Sequence, residues 1–112
     1  MTTGLTTRKI RTEIRPILES HAEVISAWGF GSFFRGERHN DIDVLVVVDC
    51  QLSDLLDYSS QLRAAMHKLQ GDYRMEIDVL ILTTKEFEER PLRDMDQLVS
   101  LYRAPKGLNL HI

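Results

Sequence analysis

The stretch DIDVLVVV, residues 41–48, decides the fold because it is short, rich in β-branched residues and almost continuously apolar. Such a run is typical of a central strand that is buried on both faces of a sheet. Asp41 and Asp43 open the run, and alternation along a strand points both side chains to the same face. Two neighbouring carboxylates raise each other's pKa unless a cation joins them. The stretch therefore predicts the middle of a sheet and a place for a divalent metal ion.

Apolar patterns on either side of this strand predict further elements. The first is an amphipathic helix, which Pro16 either kinks or divides, with an apolar stripe of Ile10, Ile14, Ile17 and Leu18. The other predicted elements are a strand over residues 24–30, a helix with Ser53 as its N-cap, a strand over residues 75–82 and a helix that begins with the capping box of Thr83 and Glu86.

The last third of the chain is predicted to be helical. Its apolar stripe consists of Leu92, Met95, Leu98, Val99 and Tyr102. Gly71 and Asp72 are expected to form the turn before the third strand, and residues 108–112 alternate between apolar and polar side chains. The predicted order is α-β-β-α-β-α-α within one domain, residues 1–112, which is an α/β fold with helices packed on a small mixed sheet.

Composition narrows the classes of function. The 112 residues are 43% hydrophobic and 28% charged, which is ordinary for a globular domain. No segment is apolar enough to span a membrane and Cys50 is the only cysteine, so a cytoplasmic protein without disulfides is expected. The net charge of −3 argues against strong, sequence-independent nucleic-acid binding, which depends on a basic surface. It leaves room for a nucleotide that arrives with Mg²⁺.

A glycine-rich turn follows the first predicted strand. Gly31 allows a ligand to approach the backbone closely, and Ser32 adds a hydroxyl donor, so this turn is suited to phosphate. Residues 33–35 could form the first turn of a short helix, whose positive dipole end would face the phosphate. Arg35 could reach a phosphate oxygen or pair with a nearby carboxylate.

A third carboxylate, Asp78, lies in another apolar strand and can complete a triad if the two strands are neighbours. Each feature alone has an ordinary explanation: a turn acid and cap at Asp41 and Asp43, a plain turn at Gly31, or a salt-bridged Asp78. Their combination favours a functional site. Glu76 shares a strand face with Asp78 and is the alternative third acid.

Other residues that could carry chemistry are interpreted as structural. The four histidines show no spacing that would suit a zinc site with Cys50 or with one another. Trp28 precedes the glycine turn and is interpreted as a core residue rather than a platform for a nucleobase.

The pattern Gly31-Ser32, Asp41-x-Asp43 and an Asp78 flanked by apolar residues resembles the nucleotidyltransferase superfamily with a DNA polymerase β-like palm. The Gly-Ser-x-x-Arg-Gly form of the turn looks most like the minimal nucleotidyltransferases of bacteria and archaea. Many of these form toxin–antitoxin pairs with a helical HEPN-type protein. In this chain the spacer between Ser32 and Asp41 is shorter than is common in that group.

The resemblance implies a role for each residue of the pattern. Asp41, Asp43 and Asp78 would be the catalytic acids and the ligands of Mg²⁺ or Mn²⁺, and Asp78 would accept the proton of the attacking hydroxyl. Gly31 and Ser32 would bind the triphosphate of an NTP, with ATP expected, and Arg35 would support it.

Two functions follow from this resemblance. The first is an enzyme that transfers a nucleoside monophosphate to a hydroxyl of a protein, an RNA or a small molecule. The alternative is an antitoxin-like module that neutralises a helical HEPN-type partner, with catalysis secondary or absent. The apolar C-terminal third is expected to dock such a partner or to support a homo-oligomer.

Overall fold

The computed structural model describes residues 6–36, 41–49, 52–73, 76–89 and 98–105. Its elements, in chain order, are α1 (Thr7–Glu19), β1 (Val24–Phe30), β2 (Asp41–Val48), α2 (Leu52–Tyr73), β3 (Glu76–Thr83), α3 (Thr84–Glu89) and β4 (Val99–Arg103). The predicted bounds of β1 and β2 are confirmed, and β3 differs from its prediction by one residue at each end.

The four strands form one mixed sheet in the order β3-β2-β1-β4. β1 runs antiparallel to both β2 and β4, whereas β2 and β3 are parallel. A parallel pair needs a long crossover connection, and α2 provides it. The central position of β2 confirms the prediction from its apolar run: Ile42, Val44 and Leu45 are fully buried.

The main core lies between one face of the sheet and helices α1 and α2. Ile10, Ile14 and Leu18 of α1 are buried there, as predicted from their helical spacing. α1 is one continuous helix through Pro16. The proline stands in the last turn, where it removes only one helical hydrogen bond, so the helix is neither divided nor ended there.

The opposite face of the sheet has a thinner cover. Leu45, Val47 and Leu82 are buried on this face, with partly buried neighbours that include Trp28 and Phe87. Among the described elements, only the short helix α3 contacts this face. α3 begins with the predicted capping box: the Thr83 amide donates to Glu86 Oε1 at 2.9 Å, and the Glu86 amide donates to Thr83 Oγ1 at 3.2 Å.

The prediction of a helix over residues 92–102 is wrong for its C-terminal part. Residues Val99–Arg103 form strand β4, which pairs antiparallel with β1. Without this strand, the backbone groups along the outer side of β1 would lack sheet partners, and pairing them outweighs a helical apolar spacing. Residues 92–97 and 108–112 lie outside the described residues.

Two smaller predictions about α2 are also wrong. The helix begins at Leu52, so Ser53 lies inside it rather than at its N-cap. The expected turn at Gly71 and Asp72 is the last part of the same helix, which ends at Tyr73. A helical glycine costs about 1 kcal/mol relative to alanine, and a helix packed against a sheet tolerates that cost.

An arginine from a neighbouring helix binds one backbone carbonyl of each edge strand. Arg11 of α1 donates through Nε and Nη2 to the Ser100 carbonyl of β4, at 3.1 and 2.8 Å. Arg63 of α2 donates through Nη2 to the Val79 carbonyl of β3 at 2.9 Å. Unpaired edge carbonyls are a template for unwanted strand pairing, and these contacts satisfy one such carbonyl on each side of the sheet. None of the described helices is long and apolar enough to cross a membrane.

The strand assignment of β4 is testable at Leu101. The predicted helix would leave Leu101 outside its apolar stripe, whereas in strand β4 the residue is only 3% exposed. We expect Leu101→Ala to lower the free energy of unfolding by about 2–5 kcal/mol, because it leaves a cavity in the core. Ser100→Ala, on the exposed side of the same strand, is the control and should change it by less than about 0.5 kcal/mol. If urea denaturation gave the same loss of unfolding free energy for Leu101→Ala and Ser100→Ala, the assignment of β4 as a strand would be contradicted.

Candidate metal and nucleotide site

Parallel pairing of β2 with β3 brings the three predicted acids together. Asp43 lies directly opposite Asp78 in the register of the two strands. Asp41 shares its face with Asp43 because the two are separated by one residue. One carboxylate oxygen of each residue lies within 4.8 Å of the others, with Asp41 and Asp43 half-buried and Asp78 exposed. The strands β2 and β3 are therefore neighbours, as a triad of these acids requires.

The electrostatics of Asp78 reflect this crowding. Its carboxyl pKa is raised above the ordinary value, mainly by partial removal from water. The hydrogen bond between its side chain and that of Asp41 raises it further, as do the negative charges of Asp41 and Glu76. Every one of these effects disfavours the ionised form, and a cation bound among the carboxylates would oppose them.

The donor set fits a hard divalent cation. Carboxylate oxygens are the ligands that Mg²⁺ and Mn²⁺ prefer, and Mg²⁺ sites commonly combine one or two carboxylates with substrate phosphates. Within the described part of the chain, Asp41, Asp43 and Asp78 are the residues grouped closely enough to share an ion. Glu76, the alternative third acid, lies opposite Asp41 in the strand register and outside this group.

The turn after β1 contacts the acid cluster through Gly31. This residue has φ +83°, a left-handed conformation that side chains other than glycine rarely adopt. A Cβ built on Gly31 would collide with Oδ2 of Asp43. The backbone angle therefore favours glycine at this position, and any larger residue would also displace the Asp43 carboxylate.

Residues 32–36 form consecutive turns, so the expected short helix over residues 33–35 is absent. The Arg35 amide donates to the carbonyls of Gly31 and Ser32 at 3.3 and 3.2 Å, and the Gly36 amide donates to the Phe33 carbonyl at 3.2 Å. Gly36, with φ +75°, ends the turn. A left-handed residue there stops a helix from propagating, which explains why this prediction is wrong.

Two residues that the sequence interpretation missed hold this turn against the sheet. The ring of Phe34 packs on Gly29 so closely that a Cβ on Gly29 would overlap it, and Phe33 meets Phe34 edge to face with centroids 5.0 Å apart. The signal was Gly29 itself, because glycine inside a strand often marks a close approach of another group. Gly29 itself lies within strand β1.

Gly31→Ala should disturb the acid cluster directly, in addition to straining the backbone, because the new Cβ would push against the Asp43 carboxylate. Gly36→Ala is a matched control, because Gly36 also has positive φ but an added Cβ there meets nothing within 4 Å. Both variants should lose about 1–2 kcal/mol of unfolding free energy from the left-handed backbone. Only Gly31→Ala should also weaken Mn²⁺ binding, which electron paramagnetic resonance can measure, because it displaces Asp43. Equal Mn²⁺ affinities in the two variants would contradict this geometry.

The raised pKa of Asp78 gives a prediction for the metal-free protein. Since the folded state holds the Asp78 proton more tightly, stability falls as pH rises from the ordinary carboxyl value through the folded pKa. We expect Asp78→Asn to have a higher melting temperature than the wild type at pH 7 in EDTA. Adding Mn²⁺ should reverse the order, because only the wild type gains binding energy. A lower melting temperature for the variant in EDTA would show that the carboxylates do not repel.

Comparison with known proteins agrees with this arrangement. The model of the family described as "Polymerase beta, Nucleotidyltransferase" matches residues 12–100. A crystal structure of a protein from Sulfolobus solfataricus, provisionally described as a nucleotidyltransferase, superposes with a TM-score of 0.56 at 18% identity and covers 95% of both chains. No curated protein matches the chain by sequence.

A second similar structure comes from a toxin–antitoxin complex. A chain in the crystal structure of a mutant MntA–HpeT complex has a TM-score of 0.56 and 18% identity, and the match covers 92% of the present chain and 76% of the other. At this identity, both structures establish the fold alone. Because the family model spans most of the sequence, including the glycine turn and all three acids, the chain belongs to the polymerase β nucleotidyltransferase family.

Proposed function

We propose that the protein is a metal-dependent nucleotidyltransferase, which transfers a nucleoside monophosphate from an NTP to a hydroxyl acceptor. AMP from ATP is the expected group. The observation that carries the proposal is the meeting of three carboxylates from two neighbouring parallel strands, with the Gly31 turn against one of them. Membership of the polymerase β family supports the same reaction class.

In this proposal, Asp41, Asp43 and Asp78 would hold Mg²⁺ or Mn²⁺. The bound cation would supply charge neutralisation at the phosphates and a lower pKa for the attacking hydroxyl. The acceptor oxygen forms a bond to the α-phosphorus, the bond from that phosphorus to the bridging oxygen of the β-phosphate breaks, and pyrophosphate leaves. Asp78 is the proposed acceptor of the hydroxyl proton, because it is the exposed member of the three acids and so can be reached by an acceptor group.

The turn after β1 would bind the triphosphate. Gly31 places backbone beside the Asp43 carboxylate without a side chain between them, so a phosphate can approach both the turn and a metal held by the acids. Ser32 follows with a hydroxyl donor, and Arg35 is exposed at the end of the turn, where its charge can support the phosphates. The roles of these three residues are part of the proposal.

A second candidate function is that of an antitoxin-like subunit that neutralises a helical HEPN-type partner. It is supported by the similarity to a chain from the MntA–HpeT toxin–antitoxin complex. The two functions are compatible, because the partner can itself be the acceptor of the transferred nucleotide. The predicted docking surface included the supposed C-terminal helix, and the strand β4 now occupies part of that sequence.

Catalysis is tested by incubating the protein and Mg²⁺ with ATP labelled at the α-phosphate, in a lysate of its native host. We expect a labelled acceptor with the wild type. Asp78→Asn should slow transfer by about 10²-fold or more, because it removes the proton acceptor. Asp57→Asn, which makes the same charge change on an exposed part of α2, should act as the wild type. The absence of label on every protein, RNA and small molecule would contradict the enzyme proposal.

Metal binding separates the two candidate functions. Isothermal titration of Mn²⁺ in the presence of ATP should show binding that the double variant Asp41→Asn/Asp43→Asn loses. If that variant still neutralises a co-expressed helical partner, binding alone is sufficient and catalysis is secondary. If neutralisation is lost together with metal binding while the variant remains folded, the partner is controlled by nucleotide transfer.

A further inference from the structure

A cavity of about 350 Å³ opens on the thinly covered face of the sheet, the same face that carries the acid cluster. Strands β1 and β2 contribute Ser26 and Val47 to its lining, helix α3 contributes Phe87, and the end of β4 contributes Arg103. Its volume falls at the small end of the range for ligand pockets. A nucleoside fits such a volume, whereas a large ligand does not.

Aromatic and cationic groups meet at one side of this cavity, around Trp28. The rings of Trp28 and Phe87 stack with centroids 5.9 Å apart and planes inclined by 20°. The guanidinium carbon of Arg103 lies 5.9 Å from the Trp28 ring centroid. Trp28 Nε1 donates to Ser26 Oγ at 2.9 Å, which fixes the orientation of the indole. Trp28 thus packs against the second apolar cluster, as a core residue would, and also lines an open cavity.

The aromatic rings and the guanidinium group at this cavity indicate which class of ligand it can bind. Aromatic faces and an arginine guanidinium are the groups on which nucleobases stack, and such stacking tolerates different bases. The Ser26 hydroxyl and the exposed Glu88 carboxylate add polar groups that can meet the edge of a heterocycle. A cavity for a purely aliphatic group would need neither the arginine nor the carboxylate. The lining therefore favours a flat aromatic heterocycle.

The sheet register gives the position of the cavity relative to the acids. Along β1, Phe30 pairs with Asp43 and Ser26 with Val47, so the cavity lies four residues along the strands from the acid cluster. At the usual strand rise this is about 13 Å. The Gly31 turn lies beyond Asp43 in the opposite direction. A nucleotide extended along the strands would have its phosphates at the turn and acids and its base towards Trp28.

We propose that this cavity binds the base of the nucleotide substrate, with Trp28, Phe87 and Arg103 as its stacking groups. The inference rests on the proposed nucleotidyltransferase function, because it assigns the far end of the same substrate. It provides a base contact within this chain itself, separate from any contact supplied by a partner protein. Because stacking tolerates different bases, such a site would not select strictly among them.

Trp28 is the only tryptophan in the chain, so its fluorescence reports on this cavity alone. The experiment titrates the full-length protein with Mg²⁺ and ATP, with adenosine, and with inorganic tripolyphosphate and Mg²⁺, using free tryptophan to correct for light absorption by the nucleotide. We expect ATP and adenosine to quench Trp28 and tripolyphosphate to leave its emission unchanged.

Variants of the cavity should weaken nucleotide binding without touching the acids. Phe87→Leu and Arg103→Gln should each raise the dissociation constant for Mg²⁺ and ATP by roughly tenfold, the usual size of one base-stacking contact. Arg8→Gln, which removes an exposed arginine from α1 on the other side of the sheet, is the matched control and should bind as the wild type. Thermal melts check that Phe87→Leu folds. Because Arg103 is exposed, Arg103→Gln tests nucleotide binding to the cavity without a change to the core.

The outcomes separate this inference from the function on which it rests. If tripolyphosphate and ATP bind with equal affinity and neither cavity variant changes the dissociation constant for ATP, the cavity inference is overturned and the enzyme proposal stands. A second outcome is that adenosine quenches Trp28 fluorescence and both cavity variants bind nucleotide more weakly, while no acceptor is ever labelled. In that case the cavity inference stands and the enzyme proposal fails. Quenching by tripolyphosphate as strong as that by ATP would also overturn the base site.

Discussion

The structure depends on the parallel pairing of β2 with β3. This pairing sets Asp43 opposite Asp78, and the alternation of side chains then adds Asp41 to the same face. A parallel pair cannot be joined by a tight turn, so α2 must cross over the sheet, where it packs against β3 and contributes to the main core. One constraint of backbone hydrogen bonding thus produces both the main core and the acid cluster.

The unequal cover of the two faces explains why carboxylates are tolerated in apolar strands. The face beneath α1 and α2 is packed with fully buried side chains, such as Ile42 and Val44. On the other face, Asp41 and Asp43 keep partial contact with water and Asp78 is exposed. A fully buried set of three acids would carry a large desolvation cost, whereas this arrangement keeps the carboxylates close together and accessible to a cation.

The turn after β1 lies against the acids of β2 through Gly31, where a larger residue would displace the Asp43 carboxylate. Gly31 lies against Asp43, while Phe34 packs on Gly29 and so fixes the turn to the sheet. The glycine turn and the acid cluster are therefore linked by sterics in this chain. The same open face continues past the acids to the cavity beside Trp28.

The sequence by itself determined the local elements and the identity of the acids. Continuous apolar runs gave the bounds of β1 and β2, and the spacing of Thr83 and Glu86 gave the start of α3, because each signal depends on neighbouring residues alone. Only the tertiary structure decided that residues 99–103 form a strand, since that depends on the unpaired edge of β1, which is distant in sequence. The same holds for the contact of Gly31 with Asp43 and for the cavity beside Trp28. These features arise where separate strands meet. Local sequence patterns do not reveal them, because they depend on backbone hydrogen bonds and steric contacts between residues that are far apart in the sequence.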